Sequence, residues 1–180
     1  MLKIDDTVLI VIDVQGKLAQ VMHDKQALFS NLEKIIKGSQ VLNIPIIWTE
    51  QVPEKLGPTL PALAALLAGQ TQPIAKSSFS CCGHPPFMEA LTALNRRQVL
   101  LTGIETHVCL YQTAVDLLNA GYEVQVVTDA VSSRTAANKH LGLERMQAAG
   151  AVPTSVEMAL FELLRVAEGV SFKEIAKIVK

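Results

Sequence analysis

Three side chains in this 180-residue chain have the types and spacing for covalent chemistry: Asp13, Lys76 and Cys109. Cys109 follows the apolar run Gln98-Val99-Leu100-Leu101-Thr102 across the turn Gly103-Ile104-Glu105-Thr106-His107-Val108. An amphipathic helix reads on from it to about Ala120. A thiol there sits near the positive end of a helix, where free backbone N–H groups and the macrodipole favour a thiolate. The same N–H groups suit an oxyanion. Taken alone, the residue reads more readily as a buried, inert cysteine. Asp13 closes Thr7-Val8-Leu9-Ile10-Val11-Ile12, a run without another charge. As chemistry it is a general base whose partly apolar surroundings raise its proton affinity. As structure it is a helix-capping or loop-tying aspartate. Lys76 ends a short run from Gln72. It reads either as an exposed strand-end lysine or as a cation that holds Asp13 and favours the thiolate. Together the three supply an acid, a cation and a nucleophile, the minimum for covalent acyl transfer.

The elements that must position them alternate between strand and helix. Strands read over residues 7–13, 44–49, 72–76, 98–102, 123–129 and 151–154, and the first is apolar throughout, as a strand buried on both faces should be. Helices read over residues 25–42, 62–68, 86–95, 109–120, 135–149, 155–166 and 171–180, the last with a Ser171-x-x-Glu174 capping box. A loop rich in Pro and Gly covers residues 51–61. This alternation predicts an α/β fold of three layers, Rossmann-like: a six-stranded parallel sheet with helices on both faces, in a single domain over residues 1–180. In such sheets ligands bind beyond the carboxyl ends of the strands. Asp13, Lys76 and Cys109 lie at or just past three such ends.

These pieces carry a family resemblance. Val11-Ile12-Asp13-Val14-Gln15, then Lys76-x-x-Phe79-Ser80, then Gly103-Ile104-Glu105-Thr106-His107-Val108-Cys109 occur in order along the chain. In that order and at those strand ends, the chain resembles the isochorismatase-like, or cysteine hydrolase, superfamily along essentially its whole length. The resemblance implies a catalytic triad of Asp13, Lys76 and Cys109. It also implies a non-proline cis peptide at Ile104–Glu105, and an oxyanion hole from the N–H groups of Glu105 and Cys109. Nicotinamidases of that superfamily carry a metal-binding Asp-x-His after the second strand. The matching stretch here is Trp48-Thr49-Glu50-Gln51, without a histidine. No catalytic metal and no cofactor are therefore expected, and nicotinamide is disfavoured as substrate. Isochorismatases that cleave a vinyl ether lack the cysteine, so its presence favours amidase-type hydrolysis of a C–N bond in a small-molecule substrate. Gln15, Trp48, Phe79, Thr106 and His107 are the expected substrate-binding residues. Gln15 is open to a simple loop role, Thr106 to a helix cap, and Trp48 and Phe79 to core packing. Asp129 and Arg134 are expected to fix the loop after the fifth strand.

Composition narrows the alternatives. A formal net charge of −1 and 4% aromatic residues argue against a nucleic-acid surface. No run of 18 apolar residues occurs, so no membrane span is expected. The first residues, Met1-Leu2-Lys3-Ile4-Asp5-Asp6, lack a signal-peptide layout. Three cysteines, two of them the vicinal pair Cys81-Cys82, form no pairing framework. A reducing cytoplasm fits them. The 49% hydrophobic content fits a homo-oligomer with a buried subunit interface. Two other functions stay open on sequence: a family member without turnover that serves as an oligomeric scaffold, and a nucleotide- or flavin-binding module. The first strand leads into Asp13-Val14-Gln15-Gly16 rather than G-x-G-x-x-G, which weighs against the module.

Overall fold

The structure is a computed structural model and describes residues 1–180. Six strands form one sheet: β1 (Thr7–Ile12), β2 (Ile46–Gln51), β3 (Ile74–Lys76), β4 (Gln98–Ile104), β5 (Glu123–Ser132) and β6 (Val152–Thr154). Between them run α1 (Gly16–Gln20), α2 (Lys25–Val41), α3 (Pro53–Leu56), α4 (Pro61–Leu67), α5 (Pro85–Ala93), α6 (Tyr111–Asn119) and α7 (Ala136–Ala148). The helices α8 (Val156–Leu164) and α9 (Gly169–Val179) follow β6. The sheet order is β3-β2-β1-β4-β5-β6, and every pairing is parallel. The α/β, six-stranded parallel reading is thus the observed fold.

The order places the site. The chain starts mid-sheet, steps outward to β3, returns to lay β4 beside β1, then steps outward to β6. The direction of winding reverses between β1 and β4, and ligands bind beyond the carboxyl ends at such a reversal. Ile12, the last residue of β1, sits opposite Gly103 of β4 and next to Thr49 of β2. Gly103 has φ +114°, and a Cβ there would lie 2.1 Å from the Ile12 carbonyl oxygen. Only glycine lets the two strands end this close together.

Alternate side chains divide the core between the two sheet faces. Leu9 and Val11 pack with Leu32, Ile35 and Ile36 of α2 and with Leu160 of α8. Val8, Ile10 and Ile12 pack with Phe87 of α5, Leu117 of α6 and Met146 of α7. Central strands covered on both faces account for the unbroken apolar runs in the sequence.

Several boundaries differ from the sequence reading, each for a local reason. Asp13 lies just past β1, in a left-handed conformation with φ 53°. β2 begins at Ile46 rather than residue 44, after Pro45. β5 runs three residues longer, to Ser132, because β4 continues to Ile104 and pairs with it there. α1 and α3 are five and four residues long, too short for a periodicity to show. The Ser171–Glu174 capping box does not form: α9 starts at Gly169 with Glu168 at its N-cap, so Ser171 lies inside the helix. Thr135 and Ser155 do cap, accepting from the Asn138 and Met158 N–H groups.

Candidate active site

Asp13 is gripped from two strands. Its N–H donates to the Thr49 carbonyl at 3.2 Å. The Thr49 hydroxyl donates to Asp13 Oδ1 at 2.7 Å, and Lys76 Nζ donates to Oδ2 at 2.7 Å. Lys76 Nζ also reaches Gln51 Oε1 at 2.7 Å, the Ser78 carbonyl at 3.1 Å and the Phe79 carbonyl at 3.3 Å. An ammonium has three protons, and four acceptors surround this one. All three Lys76 N–H protons are thus engaged within the protein. Asp13 is 2% exposed and Lys76 3%. Buried charges persist when paired and hydrogen-bonded, and this pair meets both conditions.

Cys109 sits in a π-helical turn, Thr106–Leu110, between β4 and α6. The turn closes with Leu110 N–H donating to the Glu105 carbonyl at 3.3 Å. Wide turns of this kind are often found at functional sites. Cys109 is 8% exposed. Burial pushes its thiol up to about 12; the Asp13 charge adds to the rise and the Lys76 charge opposes it. Desolvation is the largest of these effects and runs against the thiolate expected at a helix end.

The Ile104–Glu105 peptide is cis. Ile104 is fully buried. The Glu105 N–H meets no carbonyl within the protein. The Glu105 carboxylate turns to the loop after β5, where Arg134 N–H donates to it at 3.0 Å and Arg134 Nε at 3.1 Å. Arg134 thus ties that loop to the turn, while Asp129 Oδ1 accepts from Val156 N–H and ties β5 to α8.

The other expected binding residues separate. Trp48 is 4% exposed and lies in the core cluster with Leu9 and Ile36, on the sheet face away from Ile12 and Cys109. That corrects its expected place in the pocket wall; period-two alternation turns its neighbours Ile47 and Thr49 the other way. Gln15 is corrected as well. Its amide is spent on the chain: Nε2 donates to the Gly57 carbonyl at 2.6 Å and Oε1 accepts from Gln51 N–H at 2.6 Å. It is wholly buried and ties loops together. Thr106 is buried with an unpartnered hydroxyl and makes no cap. His107 is half-buried, with Nδ1 3.0 Å from Ser133 Oγ. Phe79 is 55% exposed, while its carbonyl accepts from Lys76.

Two residues at the centre of the site escaped the sequence reading as site members, Thr49 and Gln51. The alternation of β2 carries the signal, because both share the face of Ile47 opposite Trp48. A hollow of about 660 Å³ lined by Ile44, Ile46, Leu94 and Arg96 lies at the other end of the sheet, away from Asp13, Lys76 and Cys109. Nowhere do three His, Cys, Asp or Glu side chains gather as metal ligands would.

Residues 7–158 match the family model described as the isochorismatase domain. The chain belongs to the isochorismatase family. It is an isochorismatase-family hydrolase, similar to a Phytophthora sojae protein named secreted isochorismatase effector Isc1. That relative is 38% identical, with 97% of this chain and 84% of the relative covered. Among solved structures it is similar to one titled MAR1 ribonuclease from Caenorhabditis elegans, with 36% identity, TM-score 0.93, and coverage of 99% and 91%. The Escherichia coli YcaC gene product shares the fold at TM-score 0.92 and 23% identity over 98% and 89% of the two chains, and is described as an octameric hydrolase of unknown specificity. The strand order of this chain brings Asp13, Lys76 and Cys109 to one end of the sheet from three separate strand ends.

Proposed function

We propose that the protein is a cofactor-independent cysteine hydrolase acting on a small amide or related C–N compound. The observation that carries this reading is the buried Lys76–Asp13 pair, 2.7 Å apart, with the buried Cys109 thiol under the influence of both charges. Asp13 takes the thiol proton as Cys109 Sγ bonds to the substrate carbonyl carbon. The electron pair moves to the carbonyl oxygen, which the N–H groups of Glu105 and Cys109 receive. Losing one such donor costs about 3–4 kcal/mol of transition-state stabilisation. As the C–N bond breaks, Asp13 gives its proton to the leaving nitrogen. Water then attacks the thioester, its proton passes to Asp13, and the acid leaves as the sulfur recovers a proton. Lys76 holds Asp13 throughout. The near-complete burial of the pair supports this division of labour, since charges interact more strongly away from water.

The substrate-facing residues in this reading are Phe79 and His107, at the rim between the loop after β3 and the π-helical turn; Thr106 has no exposed surface, and its expected place in the pocket is given up. We further infer a homo-oligomer, supported by exposed Val152 and Met158 beside the sheet edge at β6 and by the octamer described for the E. coli protein of the same fold. Three free cysteines support a reducing, cytoplasmic setting. The test is hydrolysis of a panel of small amides, ureas and carbamoyl compounds, with RNA included because the C. elegans relative is named a ribonuclease. The reading expects amine or ammonia release by the intact protein and none by Cys109→Ala. Equal release by Cys109→Ala would overturn it, and release by neither protein across the panel would favour the scaffold.

A further inference from the structure

We propose that Thr49 is the positioning residue for the base, its hydroxyl fixing the Asp13 carboxylate in its proton-accepting form and orientation. This inference rests on the reading of Asp13 as the base. Thr49 holds Asp13 at two points: its carbonyl accepts from Asp13 N–H at 3.2 Å, and its hydroxyl donates to Oδ1 at 2.7 Å. Lys76 holds the other carboxylate oxygen. The carboxyl group is therefore clamped across its width, from β2 on one side and β3 on the other, and cannot rotate without losing a donor. Thr49 is 1% exposed, so the hydroxyl competes with little solvent.

The direction of the Thr49 proton follows from its surroundings. A hydroxyl has one proton, and the carboxylate beside it is the stronger acceptor. The remaining side of the oxygen faces Cys81 Sγ at 3.9 Å. Cys81 is wholly buried. The ionisable groups around the carboxylate are Lys76 from β3, Cys109 from the π-helical turn and Cys81 from the short turn at residues 81–83. Of these only Lys76 is a cation. Thr49 is a neutral donor on the carboxylate, on the oxygen opposite the one that Lys76 holds.

The test reads the pH dependence of acetyl transfer to Cys109 from p-nitrophenyl acetate, followed by peptide mass spectrometry. Wild type is expected to show an acid limb set by Asp13. Thr49→Val, isosteric but without a donor, moves that limb upward by about one pH unit, and Thr49→Ser leaves it in place. Thr49→Ala removes the same donor with a smaller side chain and carries the test if Thr49→Val does not fold, as judged by thermal melting. Limbs unmoved in a folded Thr49→Val or Thr49→Ala would overturn the proposal. Asp13→Asn separates the two claims. Loss of the limb there with no shift in the Thr49 variants overturns only the role of Thr49. A limb that survives Asp13→Asn overturns the assignment of the base, and the Thr49 proposal with it.

Discussion

The Lys76–Asp13 pair yields a prediction with opposite outcomes for stability and activity. The two side chains are 0% and 3% exposed and 2.7 Å apart. Lys76→Met keeps the length of the side chain and removes its charge, leaving Asp13 as a buried carboxylate with Thr49 as its remaining side-chain donor. Breaking a buried pair from one side costs about 3–5 kcal/mol. The chain has 180 residues, and for that size each kcal/mol moves Tm by about 2–4 °C, so Tm should fall by roughly 6–20 °C. Asp13→Asn should destabilise similarly, by stranding the ammonium. The double variant Asp13→Asn/Lys76→Met strands neither charge. Its Tm should lie above that of both single variants, with an interaction energy of about 2 kcal/mol or more. Turnover and acylation should stay absent from all three. The measurement is a four-protein cycle of calorimetric melts at neutral pH. A Lys76→Met protein melting within about 2 °C of wild type would refute the argument, as would a double variant that loses the sum of the two singles.

Other outcomes follow from particular contacts. A Cβ at Gly142 would lie 2.7 Å from the Thr106 carbonyl carbon and 2.8 Å from His107 N. Gly142→Ala should therefore displace the turn that carries Cys109, cost about 1–3 kcal/mol and slow Cys109 acylation; Gly69→Ala, with nothing within 4 Å, is the neutral control in the same melts and assay. Burial raises Cys81 from an ordinary value of 9.0 to about 11 and Cys109 to about 12. The folded protein then binds more protons than the unfolded chain above pH 9, so this stability is complete below pH 9 and is lost as pH rises toward 11–12. Cys81 alone accounts for about 3 kcal/mol of that loss, and urea melts from pH 8 to 11 should show a shallower decline in Cys81→Ala. The Arg134–Glu105 pair has its arginine 59% exposed, so Arg134→Ala should cost less than about 1 kcal/mol in the same urea melts at pH 8.

The α/β class, the parallel sheet and the placement of three reactive residues at strand ends were legible because parallel strands buried on both faces read as apolar runs with abrupt polar ends. The strand runs Val8–Ile12 and Val99–Leu101 leave little choice of element. The parts that were not legible depend on contacts remote in sequence. The acidity of Cys109 is set by packing from the other elements of its sheet face, which a helix-end argument cannot see. Trp48 was placed by size and neighbourhood, whereas alternation along β2 decides its face and would have selected Thr49 and Gln51. Gln15 has the chemistry of a ligand-binding amide, but the chain at residues 51 and 57 claims both ends of it. The short α1 and α3 exist because the loops they occupy are clamped by backbone bonds such as Gly16 N–H to the Pro58 carbonyl. No local pattern announces them.

The central claim is that Asp13, Lys76 and Cys109 act as one hydrolytic unit through an acyl-enzyme. The most direct measurement is acid-quenched peptide mass spectrometry after brief exposure to p-nitrophenyl acetate at neutral pH. The account predicts an acetyl group on Cys109, none on Cys81 or Cys82, and none on Cys109 in Asp13→Asn. Acetylation of Cys109 that is unchanged in Asp13→Asn, or an intact protein whose Cys109 is never acetylated, would contradict it.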